Sequence, residues 1–168
     1  MPDLRAQLRD CLRGRVAFLG LGSRERGDDG FGVRLAERLA AAGVPDVVDA
    51  GTAPERCLRP TVDGGCDHVV FLDAVDFGRE PGAVVFLDAA GIAARYPQIS
   101  THKISLGLLA RAVEAAGPAR AWLLGVQPSS LQAGAALTPA VQTTLELLAE
   151  LLVELGRATE PRLTEVPA

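Results

Sequence analysis

Lysine is almost missing: Lys103 is the only one in 168 residues, so nearly all the positive charge is arginine, and no basic run occurs. With a formal net charge of −4, this excludes the clustered cations that a nucleic-acid footprint requires to displace counterions. No uninterrupted apolar stretch reaches the roughly 18 residues of a membrane span, and the N-terminus mixes Asp3 and Asp10 with arginines instead of an apolar signal core. Both absences predict a cytoplasmic protein. Cysteine is also scarce. Cys11, Cys57 and Cys66 are too few and too irregularly spaced for a disulfide framework, and they read as reduced, buried small hydrophobes. They also lack the Cys-x-x-Cys pairing of structural zinc. A Gly-x-Ser-x-Gly elbow is absent, which argues against a serine hydrolase of that type.

What is present is a 48% hydrophobic chain long enough for one sizeable core. Residues 15–22, RVAFLGLG, form an apolar run ending in glycines, as a buried parallel strand does at its C-terminal edge. Phe31, Leu35, Leu39 and Ala42 follow at helical spacing. Further strands are read at 47–50, 68–75, 83–89 and 122–126, and helices from Leu106 through Val113 and from Pro139 to about Leu155. Thr138-Pro139 supplies a favoured N-cap and N1 pair for the last helix, and Gly156 is expected to stop it. The connection through Pro81-Gly82 is too short for a helical crossover, which allows an antiparallel pairing there. These elements predict a three-layer α/β/α sandwich around a mostly parallel five-stranded sheet, one domain over 15–156. Residues 1–14 form an N-terminal extension with helical spacing, and 157–168 a frayed polar tail.

The strand-to-helix turn Gly20-Leu21-Gly22-Ser23 suggests a dinucleotide site, but the third glycine of that pattern falls on Glu25. Asp28 and Asp29 occupy the helix start, where they would repel a pyrophosphate. Asp49, ending the second strand, stands where a ribose-binding acid would, which keeps a nucleotide-binding module as the alternative. Either acid of the Asp28-Asp29 pair could cap the helix, and two adjacent acids suggest one cap and one group, Asp29, facing the crevice. Asp73 ends the HVVFLDAV strand on the same sheet edge and needs a partner there, whether a backbone N–H, an arginine or a cation. His102 lies in ISTHK, where a loop enters a helix, the kind of place where function concentrates. His68 and Cys66 make a Cys-x-His pair with no further ligands nearby. Two carboxylates and an imidazole can hold a divalent cation with positions left open, and nickel and zinc both suit that set.

Taken together, GLGSRERGDDGFG at 20–32, DAGTAPE at 49–55, FLDAVDFGREPG at 71–82, STHKISL at 100–106 and GVQPSSLQAGAALTP at 125–139 resemble the nickel-iron hydrogenase maturation proteases. The resemblance covers about residues 15–155. It implies an endopeptidase that removes a C-terminal extension from a hydrogenase large-subunit precursor after nickel insertion. Asp29, Asp73 and His102 match that family's metal-contacting positions, with nickel supplied by the precursor and zinc or cadmium able to substitute. Asp28 and Asp49 are the remaining candidates for orienting a water or ligand. One departure is Ser23, where the family usually has Asn; a hydroxyl offers fewer donors. The rival reading, from another class, is a non-enzymatic Rossmann-like nucleotide-binding or nickel-handling module.

Overall fold

The computed structural model describes residues 3–96 and 104–159. Twelve segments follow in order: α1 (Leu4–Cys11), β1 (Val16–Leu21), a 3₁₀ turn (Gly27–Gly30), α2 (Phe31–Ala41), β2 (Val47–Gly51), α3 (Glu55–Asp63), β3 (His68–Ala74), β4 (Val84–Asp88), α4 (Ala89–Arg95), α5 (Leu106–Ala116), β5 (Arg120–Val126) and α6 (Pro139–Thr159). The sheet order is β2-β1-β3-β5-β4. All pairings are parallel except β4 with β5. The antiparallel strand therefore sits at one edge, and β5 separates it from β3, its predecessor in sequence. The short Pro81-Gly82 connection carries the chain past the β5 position.

Alternation along the central strands builds two cores. Phe18, Val70, Leu72, Trp122 and Leu124 face Leu8 of α1, Leu35 and Leu39 of α2, and Leu145, Leu148 and Leu152 of α6. Leu19, Val69, Phe71 and Leu123 face Cys57 and Leu58 of α3, Ile92 of α4, and Leu109 and Val113 of α5. Such runs, buried on both faces, are what a parallel sheet between helical layers requires. The result is a three-layer α/β/α sandwich.

Two helices escape the apolar-periodicity reading. α3 carries Pro60 in its interior, a residue that removes a helical hydrogen bond and reads as a breaker. α4 begins where a strand end was expected, because the Asp88 carboxylate accepts from Gly91 N–H at 2.8 Å and caps it. α6 runs through Gly156 to Thr159, and residues 160–168 of the expected tail lie outside the described residues. The N-terminal segment is a helix capped by Asp3 (2.7 Å to Ala6 N–H), with Leu8 buried against α2 and α6.

Between β1 and β3 the connections diverge: β1 leads through α2 on one face, and β3 leads onward to α4 and α5 on the other. In open parallel sheets, ligands bind beyond the carboxyl ends of strands at such a divergence.

Candidate functional site

A cavity of about 310 Å³ lies at that place, lined by Leu21, Gly22, Gly51, Thr52, Asp73 and Ala74 at the ends of β1, β2 and β3, and by Asp76, Tyr96 and Ile104 to Leu106 at its rim. No lysine or arginine is among the described residues lining it. Larger hollows elsewhere lie away from the strand ends that bear these acids.

Asp73 reaches the cavity from the penultimate position of β3, where its Oδ1 accepts from the Ala74 N–H at 2.9 Å. Asp29 stands behind the Gly22 wall. Its Oδ2 accepts from Ser23 N–H at 2.9 Å, and a side chain at Gly22 would collide with the Asp29 carbonyl and come within 3.4 Å of its carboxyl carbon. Gly22 has φ +110°, so glycine there serves both the turn and this close approach. The loop hydroxyl of Ser23 turns inward to accept from Glu25 N–H at 3.3 Å, while its backbone N–H holds Asp29. His102 lies outside the described residues. Ile104, Ser105 and Leu106, which follow it, line the cavity, and Ser105 caps α5 by accepting from Leu108 N–H at 3.1 Å.

Neither acid of the pair caps α2. Gly30 occupies that position without a side-chain cap. Asp28 is fully enclosed and accepts from Ser129 N–H (2.8 Å), Ser130 N–H (3.1 Å), Thr138 N–H (2.7 Å) and the Thr138 hydroxyl (2.8 Å). Burial pushes its carboxyl up, but these donors outweigh it and hold the group below the usual carboxylate range. Thr138 thus spends its hydroxyl on Asp28, while Pro139 opens α6 as its spacing predicts. Asp49 pairs with Arg24 at 2.9 Å, and Arg24 also pairs with Glu37 on α2. This fastens the first loop to β2 and occupies the acid that a ribose would have used.

The Cys66 and His68 pair is committed elsewhere. Cys66 donates toward Thr61 O at 3.6 Å, and His68 lies at the opposite, N-terminal edge of the sheet. Its Nε2 lies 2.9 Å from Arg13 O, and its Nδ1 faces the Trp122 indole N–H at 3.1 Å. All three cysteines are free thiols.

Asp76 and Tyr96 line the cavity, Gln127 lies buried behind Asp76, and none of the three was among the candidate site residues read from the sequence. The Gln127 amide accepts from Phe77 N–H (2.8 Å) and Arg79 N–H (3.3 Å) while donating to Asp76 Oδ1 (3.1 Å). The bond donated by the Gln127 amide, and one from Gly78 N–H, hold Asp76 below the usual carboxylate range. Tyr96 donates to Asp76 O at 3.2 Å. Burial pushes its phenol up, Arg95 opposes the rise, and Asp76 and Asp73 add to it. Only the second Asp in FLDAVDFG offered a signal for this cluster; a glutamine in a loop carries none.

The hydrogenase maturation protease family, HycI, matches residues 33–155, which is most of the chain. This chain belongs to the hydrogenase maturation protease family. Among its relatives, the Hydrogenase 3 maturation protease of Escherichia coli K12 is 38% identical over 100 residues, 55% of this chain and 60% of that protein. The HupD hydrogenase expression/formation protein of Rhodobacter capsulatus is 34% identical over 151 residues, 84% of this chain and 71% of its own. Over some relatives the match is short: the chain spans about half (49%) of a Methanocaldococcus jannaschii protein of the family. The fold of the crystallised HycI [NiFe] hydrogenase maturation protease from Thermococcus kodakarensis superimposes with a TM-score of 0.81 at 30% identity, covering 90% of this chain and 99% of that one. In this chain the first acidic loop, with Asp29, precedes the matched stretch, while Asp73, Gln127 and Thr138 fall within it.

Proposed function

We propose that this chain is an endopeptidase that removes the C-terminal extension of a nickel-iron hydrogenase large-subunit precursor once nickel has been inserted. Nickel enters as part of the substrate and is met by Asp29, Asp73 and His102. The observation that carries this reading is the arrival of Asp73 and the Asp29 loop at one cavity whose described lining lacks any cationic side chain. Each acid is oriented by a backbone N–H, and carboxylate oxygens beside an imidazole suit a divalent nickel or zinc ion. A bound cation can polarise a carbonyl or activate water. The chain's own contribution is to hold two acids in fixed orientation at the end of a rigid sheet and to offer a cleft, edged by Gly51 and Thr52, that receives an extended segment. A cytoplasmic site of action is part of this reading and fits the three free thiols; among the described residues, no helix is long and apolar enough to cross a membrane.

The test is to incubate the protein with large-subunit precursor prepared with and without nickel and to follow the precursor's mass. Loss of the C-terminal extension from the nickel-loaded form alone is expected. Equal cleavage of both forms contradicts nickel as the recognition element, and cleavage of neither contradicts the reading as a whole.

A further inference from the structure

The connection from β5 to α6 is held at both ends: one end grips the turn that bears Asp29, and the other grips the loop that follows Asp73 at the end of β3. At its far end, Ser129, Ser130 and Thr138 direct three backbone N–H groups and a hydroxyl onto Asp28, the residue before Asp29. Backbone bonds run the same way: Asp28 N–H donates to Ser130 O at 2.9 Å and Gly134 N–H to Glu25 O at 2.7 Å. At its near end, Gln127 takes the N–H groups of Phe77 and Arg79 and donates to Asp76, three residues after Asp73. We propose that Asp28 is a positioning residue which, with Thr138 and Gln127, makes the β5–α6 connection a brace that fixes Asp29 relative to Asp73. This rests on the protease reading for the role of those two acids, but the brace itself stands on the hydrogen bonds alone.

The chemistry at Asp28 is specific to a carboxylate. Every partner is a donor, so both oxygens must accept, which only an ionised acid does. Asparagine of the same shape would turn an NH₂ against backbone N–H groups and leave buried donors unmatched. Asp28 is fully enclosed, so it acts on the cavity only through Asp29. Thr138→Val keeps the side-chain shape and the backbone N–H while deleting the hydroxyl, and Thr138→Ser restores it. Thr143→Val is the control, since the Thr143 hydroxyl bonds only within α6, to Pro139 O.

The experiment compares these variants by steady-state cleavage of nickel-loaded precursor and by carbon-detected NMR of the Asp29 and Asp73 carboxyl groups. Asp28→Asn and Thr138→Val should lower kcat at least tenfold with KM within twofold, and should move both carboxyl resonances. Thr138→Ser and Thr143→Val should stay within twofold of the parent with resonances in place. If Asp28→Asn does not fold, Thr138→Val carries the comparison. Unmoved resonances in Thr138→Val, or a kcat no lower than in Thr143→Val, overturns the proposal. If the parent protein cleaves nothing while the resonances move, the protease reading fails and the brace stands.

Discussion

Trp122 donates its indole N–H to His68 Nδ1 at 3.1 Å. An indole nitrogen only donates, so His68 Nδ1 must accept, and the ring proton then lies on Nε2, directed at Arg13 O 2.9 Å away. Both ring nitrogens of a buried histidine are thereby used in joining β3, β5 and the segment before β1. Trp122→Phe keeps an aromatic ring stacked on Phe86 but orphans His68 Nδ1, which should cost about 1–3 kcal/mol of stability. Urea denaturation should show that loss, with cleavage per folded molecule unchanged. A loss of cleavage without a loss of stability would place His68 in the chemistry instead.

Gly32, in the first turn of α2, lies where a side chain would collide with the carbonyl oxygens of Leu72 and Leu21. That close approach lets α2 start directly over the strand ends, carrying the Gly27–Gly30 turn to the cavity. Gly32→Ala should push α2 off the sheet and destabilise by about 2 kcal/mol or more, as overpacking of a filled interior does. Gly156→Ala is its counterpart: nothing lies within 4 Å of the added carbon inside α6, so removing a helical glycine should stabilise by about 0.5–1 kcal/mol. Thermal unfolding of the two variants should move in opposite directions.

Asp46 joins the α2–β2 turn to β1 through Arg15, at 2.8 and 3.0 Å. The Arg15 hydrogen bonds, against an opposing desolvation, hold its carboxyl below the usual range. A lowered folded-state value means the stabilisation is present above the ordinary carboxylate pKa and is lost as pH falls through the lowered one. The pair is partly exposed, so the effect is small. Asp46→Asn tolerates the backbone φ of +57°, so its stability deficit at pH 7 should shrink toward zero in acid. A deficit that stays constant from pH 7 to pH 2 would show that the ion pair is not its source.

Strand positions were legible because β1, β3 and β5 each carry a buried apolar run with Gly20, Asp73 or Gly125 next to the last strand residue, a pattern imposed by burial on both faces. The sheet order was not, because nothing local in Val84–Asp88 tells the chain to pass beyond β5 before pairing. α3 was hidden by Pro60, and α4 by an Asp-Ala pair that serves as a helix cap at Asp88. The positions of Asp29 in the turn before α2 and of Asp73 near the end of β3 were readable from the glycines and apolar run beside them. The division of labour between Asp28 and Asp29 was not, since it depends on donors at Ser129, Ser130 and Thr138 that lie more than 100 residues away in the chain.

The central claim is that Asp29, Asp73 and His102 act as one set on a nickel-bearing precursor. Its most direct measurement is the mass of that precursor after incubation with Asp29→Asn, Asp73→Asn and His102→Ala, each checked for folding by circular dichroism. Cleavage by the parent protein and at least a hundredfold loss in all three folded variants is the expected result. Undiminished cleavage by the three folded variants would contradict the assignment.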